Sequence, residues 1–109
     1  MRIKHRKLTE MQVLMEVREK LSELGTWTQW TAARDAAGWP CNPHGDDACS
    51  WCLTGAFRAV TGGFWNPAMD VIWMELKPIA SSIADWNVEI GRTHSEVLNL
   101  LDRLIEREK

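Results

Sequence analysis

Apolar residues recur at steps of three and four over Met11, Leu14, Val17, Leu21 and Leu24, ending at Gly25, which is the period of one buried helix face. Thr9 followed by Gln12 has capping-box spacing just ahead of this stripe. The pattern predicts an amphipathic first helix of about four turns, with Glu16 and Lys20 as an i,i+4 pair on its wet side. The same signals return later. Asn66-Pro67 is an N-cap followed by proline at the first helical position, and Met69, Ile72, Leu76, Ile79 and Ile83 continue as a core stripe. Pro78 has no N–H to give residue 74, so the stripe must kink or break there. Asp85-Trp86-Asn87 to Gly91 reads as a loop. Thr93 with Glu96 is a second capping box, and Val97, Leu100, Leu101, Leu104 and Ile105 define a final helix.

The middle of the chain is patterned differently. Asp46 to Val60 opens on two carboxylates that can cap a helix and stops at Gly62-Gly63, which predicts a short central helix poor in charge. Cys52, Gly55, Ala56 and Ala59 fall on one narrow small-residue face, on which another helix could lie close. From Thr26 to Cys41 neither period fits. A strand over 30–34, a turn through Asp35-Ala36-Ala37-Gly38 and a return at Trp39 is one reading, and a short helix is the other. Pro40 and Pro43 enforce an irregular connection. The expected fold is mainly α, with four to five short helices around one core and a small two-stranded hairpin near 30–41. Residues 1–8 form a basic arm, and 9–109 a single helical domain.

Composition changes the picture in two places. The 109 residues suffice for one modest core, and the balance of apolar and charged residues argues against extensive disorder. Tryptophan is the outlier: seven Trp stand beside two Phe and no Tyr, so the aromatic volume comes from indoles whose N–H groups need partners when buried. Net charge is −2, which gives no general attraction to nucleic acid or to an anionic membrane. The charge is uneven, however. Arg2, Lys4, Arg6 and Lys7 precede the first helix, whereas residues 26–101 carry four basic and eight acidic side chains. Contact with nucleic acid is therefore expected only through the arm, if at all. With no apolar run of 18 residues and no signal core after Met1 to Lys7, the expectation is a cytoplasmic protein without membrane contact. Three cysteines in such a chain are expected to be reduced.

Four constellations could carry chemistry. Cys41, His44, Cys49 and Cys52 are soft or borderline ligands within 12 positions, the type and number that a tetrahedral zinc site needs. Their order is not a standard knuckle, and three ordinary cysteines with a loop histidine is the competing reading. Cys52 alone could act as a nucleophile near a helix N-terminus with His44 or His94 as base, although flanking Trp51 and Leu53 favour burial. The polar set Arg34, Asp35, Asn87 and Arg92 is embedded among Trp27, Trp30 and Trp86. If the 30–40 and 85–93 segments meet, these residues would line an indole-walled recess of the kind that binds small molecules or peptides. Structural use of the same groups, as an Arg–Asp pair and an Asn bonded to loop backbone, competes with that reading. Finally, the amphipathic first and last helices could pair within the chain, or present a face to a second copy or a protein partner.

Trp27, Ala33-Arg34-Asp35, Gly38, Asp47-Ala48, Trp51-Cys52-Leu53, Gly55-Ala56, Trp86-Asn87, Arg92-Thr93 and Val97 together resemble a small uncharacterised domain family of bacteria, notably actinobacteria, and of their bacteriophages. The resemblance covers roughly residues 20–105 and is carried most specifically by the Trp-Cys-Leu-x-Gly-Ala and Trp-Asn blocks. The family tends to have Asp after Trp-Asn where this chain has Val88, so chemistry assigned to that carboxylate has no residue here. Cys41 and Cys49 match no family feature, which weighs against zinc as a cofactor. The resemblance implies a phage or prophage origin. The expected function is a non-enzymatic binding module acting on a host protein, with inhibition of a bacterial immune complex as one form and a homodimer as one assembly. A Cys52 enzyme and a zinc-stabilised nucleic-acid module are the alternatives. The binding residues expected are Arg34, Asp35, Trp86, Asn87 and Arg92.

Overall fold

A computed structural model of the chain describes residues 9–63 and 66–109. The basic arm expected over 1–8 lies outside them. The order of elements is α1 (Glu10–Lys20), β1 (Ala33–Asp35), β2 (Ala48–Trp51), α2 (Leu53–Thr61), α3 (Pro67–Leu76), α4 (Ile83–Val88) and α5 (His94–Glu108). The architecture is mainly α with one small antiparallel hairpin, as the pattern predicts.

The helix starts follow the caps. Thr9 and Gln12 form the reciprocal capping box of α1, Thr93 and Glu96 that of α5, and Asn66 accepts from the backbone N–H of Ala68 and Met69 ahead of Pro67 in α3. Each cap satisfies N–H groups that have no partner inside the helix. Two ends fall short of the predicted stripe. α1 closes at Leu21, leaving Leu24 95% exposed, and α3 breaks before Pro78, leaving Ile79 71% exposed. Chain direction, not hydropathy, decides both ends. The core joins Leu14, Val17 and Leu21 of the α1 region to Leu53, Ala56 and Phe57 of α2, Met69, Ile72 and Leu76 of α3, and Val97, Leu100, Leu101 and Leu104 of α5. α1 packs against α2, α3 and α5, so the first and last helices pair within the chain. Arg18 adds a bidentate ion pair to Asp102 at 2.7 and 3.2 Å on the rim of that contact.

The central helix begins later than Asp46. Residues 48–51 are instead β2, antiparallel to β1 with Ala33 opposite Trp51, Arg34 opposite Ser50 and Asp35 opposite Ala48, and an irregularity between Arg34 and Asp35. On its other side Trp51 exchanges backbone bonds with Thr26 and Thr28 at 2.8 and 3.0 Å. Pairing along both edges outweighs the capping potential of Asp46 and Asp47, because an extended segment held on both sides satisfies more backbone groups than a frayed first turn. Cys52 then becomes the N-cap of α2, its Sγ accepting from the N–H of Gly55 at 3.2 Å. The turn expected over 35–38 is present: Gly38 has φ +89°, its N–H donates to Asp35 O at 2.9 Å, and the chain returns with Asp35 N–H to Trp39 O at 2.9 Å. Of the segment Asp85 to Gly91, expected as loop, residues 85–88 belong to the short helix α4, started by Ser82 Oγ accepting from Asp85 N–H at 2.9 Å, and only Glu89 to Gly91 is loop.

Candidate functional site

The site begins at Asn87. It lies on α4, is 1% exposed, and is the only polar residue among the buried ones described. Its Oδ1 accepts from Trp27 Nε1 at 2.7 Å and from the N–H of Leu53 at 3.1 Å, while Nδ2 donates to Thr28 O at 3.1 Å. Its own carbonyl accepts from Gln29 Nε2 at 2.8 Å. A buried amide bonded in this way satisfies its own polar groups and those of the loop it holds. One side chain thus fastens the 26–32 loop, the start of α2 and α4 together.

The other residues expected at the site also serve this loop. Arg34 donates Nε to Thr28 Oγ1 at 2.8 Å and its terminal nitrogens to the carbonyls of Gly38 and Gln29, both at 3.0 Å. Asp35 Oδ1 accepts from the N–H groups of Ala37 and Trp39 at 2.9 and 3.0 Å. The two are therefore spent on loop backbone, with no ion pair between them. Trp86 is buried, and Arg92 lies over its ring at 3.9 Å while donating to Trp86 O at 3.0 Å and to Glu89 Oε2 at 2.7 Å. Asn87 meets the 26–32 loop, whereas the partners of Arg92 are Trp86, Glu89 and Glu96, the last at 3.4 Å.

What the anchored loop builds is a groove between α2 and α4. A Cβ on Gly55 would collide with the carbonyl of Ala32, and Cys52 N–H donates to that carbonyl at 3.1 Å. At Gly55 the small face of α2 thus receives loop backbone, while Ala56 of the same face lies in the core that α1 shares. Two residues earlier, Trp30 adopts φ +76° and stands 73% exposed. A bulky residue in the left-handed region costs about 1–3 kcal/mol and persists only where its surroundings over-determine it. Here the peptide before it is fixed by Arg34 and Gln29. Trp30 walls a lobe of about 400 Å³ whose other sides include Cys52, Thr54, Arg58, Ala84 and Asp85. A second lobe of about 260 Å³ adjoins it, walled by Trp73 and Ile83 and sharing Thr54 and Ala84 with the first. An indole stands in each lobe.

The four candidate ligands are not gathered into one site, although Cys49 lies near enough to Cys41 to help raise its thiol pKa. Cys52 has Gly55 N–H and Thr54 Oγ1 as partners at 3.2 and 3.3 Å, and Cys49 Sγ is bonded to Asp47 O. All three cysteines are free, and no three His, Cys, Asp or Glu side chains among the described residues are placed to hold a metal ion. Cys41, His44, Cys49 and Cys52 fail to converge because β2 separates them: Cys41 N–H is bonded to Ala33 O across β1, and Cys52 starts α2 beyond the sheet. Partial burial, then Asp47 and Asp35, push the Cys41 thiol above its usual range. His94 is bonded to Leu21 O at 2.6 Å and stacks on Trp27.

Thr54, Arg58, Trp73, Ala84 and Asp85 were not legible as site residues, since they sit on separate elements whose meeting depends on where α2 begins. Among the described residues no helix is long and apolar enough to cross a membrane. No curated protein and no solved structure matches the chain. The model of a family of unknown function, DUF6197, matches residues 5–107, and the chain is therefore a member of that family.

Proposed function

We propose that this chain is a non-enzymatic binding module that engages a protein partner through the groove between α2 and α4. The observation that carries this reading is the pair of adjoining lobes, each walled by an indole, with Trp30 held exposed in a strained backbone conformation. Strain at an exposed aromatic is retained where it has a use, and exposed Trp residues at a concave surface are typical anchors of recognition. The helical-face form of binding has less support, because α1 and α5 spend their apolar stripes on each other and the core. Cys52 as a nucleophile also has less, since its sulfur caps α2. The setting we propose is the cytoplasm of a bacterial host, with the chain as a phage or prophage accessory protein. Inhibition of a host immune complex is one form of that action.

The test is capture from bacterial lysate with the native chain and with two variants. Ala84→Trp fills the wall shared by both lobes, and Asn99→Ala alters the distant face of α5. A partner lost with Ala84→Trp and kept with Asn99→Ala supports the reading. A partner kept by Ala84→Trp contradicts it.

A further inference from the structure

Trp30 belongs to a stretch of chain that is held at very few points. Thr28 before it is fixed at both backbone groups, its N–H donating to Trp51 O at 3.0 Å and its carbonyl accepting from Asn87 Nδ2 at 3.1 Å. Ala32 after it is fixed through its carbonyl, which accepts from Cys52 N–H at 3.1 Å. Between these points only one backbone group of residues 29–31 is hydrogen-bonded among the described residues: Gln29 O accepts from Arg34 Nη2 at 3.0 Å. The Trp30 indole adds no hydrogen bond or ring contact of its own. A second bond acts on Gln29 from the side, where its Nε2 donates to Asn87 O at 2.8 Å.

Those two bonds hold the peptide that sets Trp30 at φ +76°. Rotating that peptide carries Gln29 O away from Arg34 and returns Trp30 to the negative φ that L residues prefer. The strain relieved and the charge-assisted hydrogen bond lost are of the same order, so the strained position lasts only while its bonds do. Arg34 stays in place to receive the carbonyl, because Nε is held by Thr28 Oγ1 at 2.8 Å and Nη1 by Gly38 O at 3.0 Å. We propose that residues 29–31 form a two-position strap at the rim of the groove, latched in its strained position by Arg34 and by the Gln29 side chain. Arg34 is then a positioning residue for Trp30. The latch is a property of the free chain, and its use rests on the groove reading: an indole fixed in advance costs a partner less ordering, and affinity falls with the fraction of chains in the competent state.

The test reads the latch in the free chain, from thermal melts of Trp30→Gly and Trp30→Ala. At a positive φ glycine is unstrained and alanine is not, whereas at a negative φ alanine is favoured because it restricts the unfolded chain. With Arg34 and Gln29 in place, Trp30→Gly is expected to melt above Trp30→Ala by at least about 2 °C. In an Arg34→Lys background, where one ammonium does not reproduce the three bonds of a planar fork, that gap is expected to shrink by at least about half or to change sign. An Arg34 that only supported the hairpin would lower both melts together and leave the gap as it was. Gln29→Ala, with the same expected result, is the second background should Arg34→Lys fail to fold. Trp30→Ala melting level with Trp30→Gly or above it in the otherwise native chain overturns the strain. A gap that keeps more than about half its size in Arg34→Lys, or in Gln29→Ala where Arg34→Lys does not fold, overturns the latch. No partner enters the measurement, so a failed latch leaves the groove reading standing, and a failed groove leaves the latch standing.

Discussion

Asn87 Oδ1 receives the Trp27 indole N–H at 2.7 Å across 60 residues of chain, and the same oxygen receives the N–H of Leu53 at the start of α2. Removing this amide would leave an indole N–H, a helix N–H and the Thr28 carbonyl without partners in a buried place. Each such loss costs about 1–3 kcal/mol, with some relief as water enters. Asn87→Ala should therefore destabilise by about 2–4 kcal/mol in urea unfolding followed by tryptophan fluorescence. A loss under about 0.5 kcal/mol would mean that the 26–32 loop does not depend on Asn87.

Gly55 presents its hydrogen to the Ala32 backbone, where a Cβ cannot fit without moving the loop. Gly55→Leu is expected to lower stability by more than about 1 kcal/mol, from overpacking. Gly55→Ala should lower Tm as well, since even one carbon meets the carbonyl. An unchanged Tm for both would place the loop away from α2.

Thiol reactivity ranks by environment. Cys49 is exposed, Cys41 is half-buried with its thiol held above the usual range, and Cys52 is buried at 8% exposure with its sulfur capping α2. Iodoacetamide at neutral pH should label Cys49 first and Cys52 last, read by peptide mass spectrometry. Fast labelling of Cys52 would revive it as a nucleophile. Cys52→Ser should keep α2 capped, because a serine hydroxyl also accepts from the N3 N–H, whereas Cys52→Ala should cost about 1 kcal/mol.

Acid sensitivity follows from Glu75. Its carboxylate is hydrogen-bonded to Arg107 at 2.7 Å and lies 3.2 Å from Arg103, which hold its pKa below the ordinary value of 4.5. A depressed carboxyl contributes stability that is present above its unfolded value and lost as pH falls through the folded one. The Tm difference between native and Glu75→Gln protein should therefore be largest near neutrality and shrink below about pH 4.5. The exposed geometry keeps that difference small. A gap that widens on acidification would show that Glu75 is not paired.

How much of this was legible depends on distance along the chain. α1, α3 and α5 were readable because Thr9, Asn66 and Thr93 stand directly ahead of periodic stripes, so cap and core face agree locally. The true start of α2 was not, because Ala48–Trp51 pairs with residues 26–35, and no local signal announces that pairing. α4 was missed for a related reason: six residues are too few to show a period, although Ser82 with Asp85 has the spacing of a cap. Asn87 was visible as a candidate, and its bonds show it building the site from beneath. Trp30 was visible as an indole, but nothing in its neighbours marks a left-handed backbone. Thr54, Ala84 and Trp73 become a groove only once α2 starts at Leu53 and α4 lies beside it.

The measurement that bears most directly on the groove is calorimetric titration of the captured partner against native and Ala84→Trp protein, with a thermal melt of both to confirm equal folding. The groove account predicts at least a tenfold loss of affinity in the variant, about 1.4 kcal/mol. An unchanged Kd in a variant that melts like the native chain would place the binding surface elsewhere.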